Sequence, residues 1–296
     1  MYIKSPLNYI GGKYKLLDNL FEVFPTNIDT FVDLFAGGFN VGINVLAKKI
    51  ICNDHINYLI DLYQEFHKNS TQKILSRIND RITEYNLNQE NADNYIKFRN
   101  NYNKGKDVLD LFILTCYAFN HQIRFNNNKQ FNTPFGKNRS SYNSAIENNL
   151  HRFLDALHSK NISFSSLDFM DFNFDELTPD DFVYCDPPYL ISNSSYNDGK
   201  RGFKNWTSQE EIALLNVLDK LNTRRIKFAL SNVLYHKNTQ NNILIEWSKK
   251  YNVLFLDKEY SNCNYHLKDK TSKTVEVLIL NYTPEKDIKC HQKNLI

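Results

Sequence analysis

The run Asp186-Pro187-Pro188-Tyr189, placed directly after the apolar segment Phe182-Val183-Tyr184-Cys185, brings together a carboxylate, a proline carbonyl with no N–H of its own, and an aromatic ring. The chemistry that needs such a set is methylation of an exocyclic amino group on a nucleic-acid base. That nitrogen's lone pair is delocalised into the ring, so it is a poor nucleophile until two acceptors engage its N–H groups and favour the tetrahedral form. Asp186 can supply one acceptor with its carboxylate, and Pro187 the other with its carbonyl. Tyr189 can then stack on a base that has left the duplex, which offsets part of the unstacking cost. Pro and Asp also dominate ordinary turns, so these four residues alone fit a plain turn equally well.

A second signal lies upstream. Thr30-Phe31-Val32-Asp33-Leu34-Phe35-Ala36-Gly37-Gly38-Phe39 reads as a strand running into a glycine turn, and Asn40 to Ala47 as the start of a helix. A glycine turn between strand and helix lets a ligand approach the backbone. The next short apolar run, Ile50-Ile51-Cys52-Asn53-Asp54, ends in an acid, and an acid at that place in an open α/β sheet commonly binds ribose hydroxyls.

The ordered series resembles the Dam-like adenine-N6 DNA methyltransferases whose cofactor motif precedes the target-recognition segment and then the catalytic motif. Pro6-Leu7-Asn8-Tyr9-Ile10-Gly11-Gly12-Lys13 is similar to the family's aromatic-x-Gly-Gly-Lys motif, which implies that Tyr9 and Lys13 contact S-adenosylmethionine (AdoMet). Asp33, Phe35, Ala36, Gly37 and Gly38 match its glycine loop, Asp54 its ribose acid, and Asp168-Phe169 the pair beside the cofactor's adenine ring. Asp186, Pro187, Pro188 and Tyr189 match the catalytic motif, with Asp186 also bordering the cofactor. The family usually spaces its loop glycines as Phe-x-Gly-x-Gly, whereas Phe39 stands where the last glycine is expected. A phosphate-loop reading of Gly11-Gly12-Lys13 fails, because the spacer before Gly-Lys is too short and Tyr14 replaces the required Ser or Thr.

Charge is segregated along the chain. Residues 97–160 carry ten Lys and Arg against four Asp and Glu, and residues 190–270 carry thirteen against eight. Residues 161–189 carry seven acids and no Lys or Arg, so the overall excess of +3 hides two basic arms flanking an acidic centre. Basic arms can neutralise phosphates and fix register on DNA, although most individual lysines are ordinary solubilising residues. In the first arm, Phe119 to Asn126 and Phe131 to Gly136 interleave aromatics, amides and an arginine. Asn and Gln suit adenine and Arg suits guanine. The family resemblance aligns Arg124 with a guanine-reading arginine, with Asn120 and Asn132 as further base contacts and Pro134, Lys137 and Arg139 beside them. His121 reads as a structural histidine. Lys200, Arg201 and Lys204 sit in a polar stretch that reads as a loop closing over a flipped base.

These residues need a frame. Strand signals recur at 162–164, 182–185, 226–230, 253–256 and 275–280, and a helix is expected over Ser208 to Leu221 behind a Ser208-x-x-Glu211 capping box. Residues 56–66 and most of 70–121 read as helix, with Ile74, Leu75, Ile78, Ile82 and Tyr85 at helical spacing. The expected fold is α/β: a Rossmann-like AdoMet-dependent methyltransferase sheet formed by 1–56 and 146–296, with 57–145 inserted as a mainly helical target-recognition subdomain. The longest apolar stretch, Leu111 to Phe119, is well short of a membrane span. Five cysteines, without Cys-x-x-Cys spacing, argue for a reducing compartment and against disulfides or structural zinc, and Cys290-His291 reads as incidental.

The resemblance implies methyl transfer from AdoMet to N6 of a flipped adenine in double-stranded DNA, releasing S-adenosyl-L-homocysteine, with no metal. It also implies a monomer acting in a bacterial or phage-infected cytoplasm, and a restriction endonuclease as a genetic partner is compatible with it. The competing readings are cytosine-N4 methylation, an RNA or protein-amide substrate, and a DNA-binding relative without catalysis. Ser or Asn is more typical at position 186 for the first two.

Overall fold

A computed structural model describes residues 2–191, 206–256 and 274–284. Its strands are β1 (Thr30–Asp33), β2 (Lys49–Asn53), β3 (Ile162–Ser165), β4 (Phe182–Cys185), β5 (Lys227–His236), β6 (Thr239–Gln240), β7 (Asn252–Phe255) and β8 (Thr274–Leu280). Its helices are α1 (Leu17–Val23), α2 (Asn57–Lys68), α3 (Thr71–Glu84), α4 (Ala92–Gly105), α5 (Val108–Tyr117), α6 (Ser144–Ser159), α7 (Ser208–Thr223) and α8 (Asn242–Ser248).

The strands form one sheet in the order β3-β2-β1-β4-β5-β8-β7, with β6 paired to β5. The stretch from β3 to β5 is parallel, while β8 runs antiparallel to both of its neighbours. Strand alternation divides the core. Phe31, Tyr184, Leu278 and Leu280 face one layer with α1 to α6, and Val32, Val183, Val277 and Ile279 face the other with α7 and α8. The chain order reverses at β1 and β4, and the carboxyl ends of such strands are where open α/β sheets bind ligands. Among the described residues, no helix is long and apolar enough to cross a membrane.

The helices between β2 and β3 build on α5, whose residues Leu109 to Tyr117 are all buried. Its buried Asp110 is held by Arg81 of α3 through two nitrogens, at 2.9 and 2.5 Å. Asp107 caps α5 by accepting from the Leu109 and Asp110 N–H groups. Beyond α5 the chain makes a hairpin, with bridges Ala118–Phe135 and Phe125–Phe131.

Two expectations fail locally. Asn40 to Ala47 forms no helix: 40–44 make turns and 45–47 are irregular. The Gly42 N–H is taken by the Asp33 carboxylate (2.9 Å), and Asn44 binds both backbone groups of Ile3 at 2.7 Å. Asn40 accepts from the Ser5 N–H, so this segment serves as a dock for the N-terminal arm, while β-branched Val41, Ile43 and Val45 add little helix propensity. The capping box of α7 lies one residue earlier than Ser208, with Thr207 and Glu210 capping each other, and Glu211 turns into the core.

Candidate active site

Strand β1 ends at Asp33 and β4 delivers Asp186 next to it, so the two carboxylates meet at the reversal point of the sheet. One cavity lies there, open to solvent. It is lined by Tyr9, Lys13, Asp33, Phe35, Ala36, Gly37, Gly38, Asp54, Asp186, Pro187 and Pro188, so these expected residues converge, while Tyr189 stands behind the lining. A smaller neighbouring pocket holds Asp168 and Phe169 and shares Phe35, His55 and Pro188 with the first.

The glycine turn explains itself sterically. Gly37 has φ +47°, and a Cβ there would stand 2.8 Å from the Tyr9 ring. Its N–H donates to Asp54 (2.8 Å), and its carbonyl accepts from the Tyr63 hydroxyl (2.6 Å). Phe39, at the position of the missing glycine, adopts φ +55° and buries its ring completely, 5.7 Å from Tyr63 and against Gly42. The turn therefore closes without the last glycine, because Phe39 takes the left-handed conformation and points its side chain into the core.

Burial sets the acid chemistry. Asp33 is almost fully buried and is pushed up to about 8, chiefly by loss of water and further by the charges of Asp186 and Asp54, against the Gly42 hydrogen bond. Asp54 is raised by burial, opposed by His55 and by the N–H groups of Ile56 and Gly37. Asp186 is also raised by burial, opposed mainly by Lys13. The Lys13 ammonium, itself 6% exposed, sits 2.7 Å from Asp186 and donates to the Gly11 carbonyl at 3.1 Å. Tyr189 places its hydroxyl 3.0 Å from Asp186 and 2.9 Å from Glu276. Among the described residues, no cluster of three or more His, Cys, Asp or Glu is set to hold a metal ion.

The hairpin carries the expected base readers together. Asn132 N–H donates to the Arg124 carbonyl (3.0 Å), so both stand on one rung, exposed, while neighbouring Phe125 and Phe131 are buried. Asn120, Pro134, Lys137 and Arg139 are exposed on the same unit, and Asn8, beside cavity-lining Tyr9, donates to the Asn120 carbonyl at 3.0 Å. Arg99 and Lys106 instead bind hairpin carbonyls. His121 contacts the Thr115 carbonyl, in keeping with a structural role. Lys200, Arg201 and Lys204, like Cys263 and Cys290-His291, lie outside the described residues. In the second basic arm, Arg224 clasps the carbonyls of Phe174, Asp175 and Leu177, and Lys250 pairs with Asp219, so these cations serve the fold.

A model of the D12 class N6 adenine-specific DNA methyltransferases matches residues 9–262. The chain belongs to that family. It is similar to the Type II methyltransferase M.FokI of Planomicrobium okeanokoites, 52% identical over 282 residues, and to modification methylase StsI of Streptococcus sanguinis, 47% identical over 283. Each alignment covers 95% of this chain and 43% of the relative, so the chain spans less than half the length of these two proteins. It is 28% identical to the DNA adenine methylase of Escherichia coli (strain K12) over 231 residues, 76% of this chain and 79% of that protein.

Several residues of this D12-class site escaped sequence reading. Buried Asn53 donates to the carbonyls of Leu34 and Leu167 and accepts from Ser165 and Leu167, locking the ends of β1, β2 and β3 together beneath the cavity. Trp206 packs with Phe35 and Phe169 and is held by Glu211 through its indole N–H (2.6 Å). Glu276 comes from β8, and its one sequence signal is that it is the sole charged residue in Thr274–Leu280.

Proposed function

We propose that the chain catalyses methyl transfer from AdoMet to N6 of an adenine flipped out of double-stranded DNA. The observation that carries this reading is that the Asp186-Pro187-Pro188 turn opens into the same cavity as the Gly37-Gly38 turn, Asp33 and Asp54. The residues suit that cofactor. Gly37 and Gly38 present backbone without side chains to the cavity, Asp33 and Asp54 suit a cationic ligand bearing hydroxyls, and Phe35 with Phe169 suits a flat ring. Tyr9, Lys13, Ala36 and Asp168 complete the proposed cofactor site. AdoMet, when bound, supplies a methyl group on positively charged sulfur.

Asp186 in its ionised form accepts one N6–H and the Pro187 carbonyl accepts the other, which frees the nitrogen lone pair. Tyr189 flanks the base, and its hydroxyl retains its proton because burial and the neighbouring carboxylates raise it well above the ordinary phenol range. Fixed acceptors and proximity provide the acceleration, with proximity alone worth roughly 7–11 kcal/mol. Arg124, Asn120 and Asn132 read base edges, while Pro134, Lys137 and Arg139 lie along the backbone. Residues 57–145 act as the target-recognition part of this enzyme. The burial of Phe39 away from the turn supports an active enzyme over a relative without catalysis. The similarity to a Type II methyltransferase and a modification methylase favours a modification enzyme, which we read as working beside a restriction endonuclease in a bacterial or phage-infected cytoplasm.

The test is Asp186→Ala with methyl-labelled AdoMet and duplex DNA. Transfer should be lost while the chain still folds, with a thermal midpoint lowered by loss of the Lys13 pair, and normal turnover would overturn the assignment.

A further inference from the structure

Glu276 is the one charged residue of β8, between buried Val275 and Val277, and strand alternation puts it on the sheet face that holds Leu278, Leu280 and Tyr184. On that face it reaches the catalytic turn. Its Oε1 lies 2.9 Å from the Tyr189 hydroxyl and 3.5 Å from the Lys13 ammonium. Both groups also touch Asp186: Tyr189 at Oδ1, 3.0 Å away, and Lys13 at Oδ2, 2.7 Å away. The Lys13 ammonium lies 5.2 Å from the centre of the Tyr189 ring, so the four side chains form a closed ring of contacts.

We propose that Glu276 is a positioning residue for methyl transfer, acting through Tyr189 and Lys13 to fix the aromatic ring and the ammonium against Asp186. This inference rests on the methyltransferase reading given above.

The phenol has one proton and two carboxylate neighbours. It donates to one of them at a time, and a swing of its ring about the Cα–Cβ bond would carry it away from both. Lys13 is drawn by two anions and the Gly11 carbonyl, with its shortest contact to Asp186. Removing the Glu276 charge also acts on Asp186 electrostatically. The groups that face Asp186 are Lys13 from the N-terminal segment, Tyr189 from its own turn, Glu276 from β8 and Asp33 from β1. Of these, Glu276 is the anion that disfavours the ionised Asp186. A neutral side chain at 276 should therefore let Asp186 ionise at lower pH.

The experiment compares wild type, Glu276→Gln, Tyr189→Phe and the double variant in single-turnover transfer to duplex DNA as a function of pH, with thermal melting as the control for folding. For Glu276→Gln we expect a plateau rate lower by roughly tenfold to a hundredfold, the order that a misplacement near 1 Å costs. We also expect the acid limb of its profile to move to lower pH. The double variant should lose little more than the worse single variant, because both act through one contact. Transfer by Glu276→Gln with an unmoved acid limb and a wild-type plateau would overturn this inference alone, as would losses that multiply in the double variant. Absence of transfer by the wild-type protein would overturn the parent reading and this inference with it.

Discussion

Changing Phe39 to glycine would restore the usual glycine spacing of the family's loop, yet it should weaken the protein. Phe39 is fully buried, packs on Tyr63 at 5.7 Å and fills the space that a side chain on Gly42 would need, 2.2 Å from its ring. Deleting such a ring costs roughly 3–5 kcal/mol, and glycine adds about 0.5–1 kcal/mol of backbone entropy. Against this, the residue sits at φ +55°, and releasing that left-handed strain returns roughly 1–2 kcal/mol. The net loss is about 1.5–5 kcal/mol, and for a chain of this size it should lower the thermal midpoint by roughly 3–20 °C. Calorimetry or a fluorescence melt of Phe39→Gly beside wild type measures it. An unchanged or raised midpoint would mean that Phe39 strains the loop and that the ring contributes little.

Other predictions follow from the electrostatics and the hairpin. Because Asp33 is pushed up to about 8 in the free protein, binding a cationic cofactor beside it must expel a proton below that pH. AdoMet affinity should rise from pH 6 to 7.5, by at most about tenfold per unit, with proton release visible when titrations are run in buffers of different ionisation heat; flat affinity would contradict the burial argument. Arg124→Ala should leave AdoMet binding intact and relax discrimination at one base of the recognition site by roughly 1–3 kcal/mol, read by competing duplexes that differ at that base. Equal losses on every duplex would make Arg124 a phosphate contact instead.

What could be read from the chain was what is encoded locally. A glycine turn behind an apolar strand, an acid ending the next strand and an Asp-Pro-Pro run are each patterns of a few residues, and the structure gathers them at one cavity. The hairpin was legible for the same reason, through alternating aromatics whose rings, Phe125 and Phe131, turn inward. Residues whose meaning depends on distant partners were not. Glu276 becomes significant only once β8 lies beside β5, and Asn53 only once three strand ends meet above it. Asn40 to Ala47 misled because its apolar spacing suits a helix, whereas its backbone and amides are claimed by Asp33 and the N-terminal arm. Thr207 displaced Ser208 as the cap because Glu211 is drawn inward by Trp206, Asn232 and Asn241.

The central claim is tested most directly by incubating unmethylated genomic DNA with the protein and AdoMet, then mapping modified bases by single-molecule sequencing. N6-methyladenine confined to one short motif is the expected result. N4-methylcytosine, or unmodified DNA from a protein that still binds AdoMet, would contradict it.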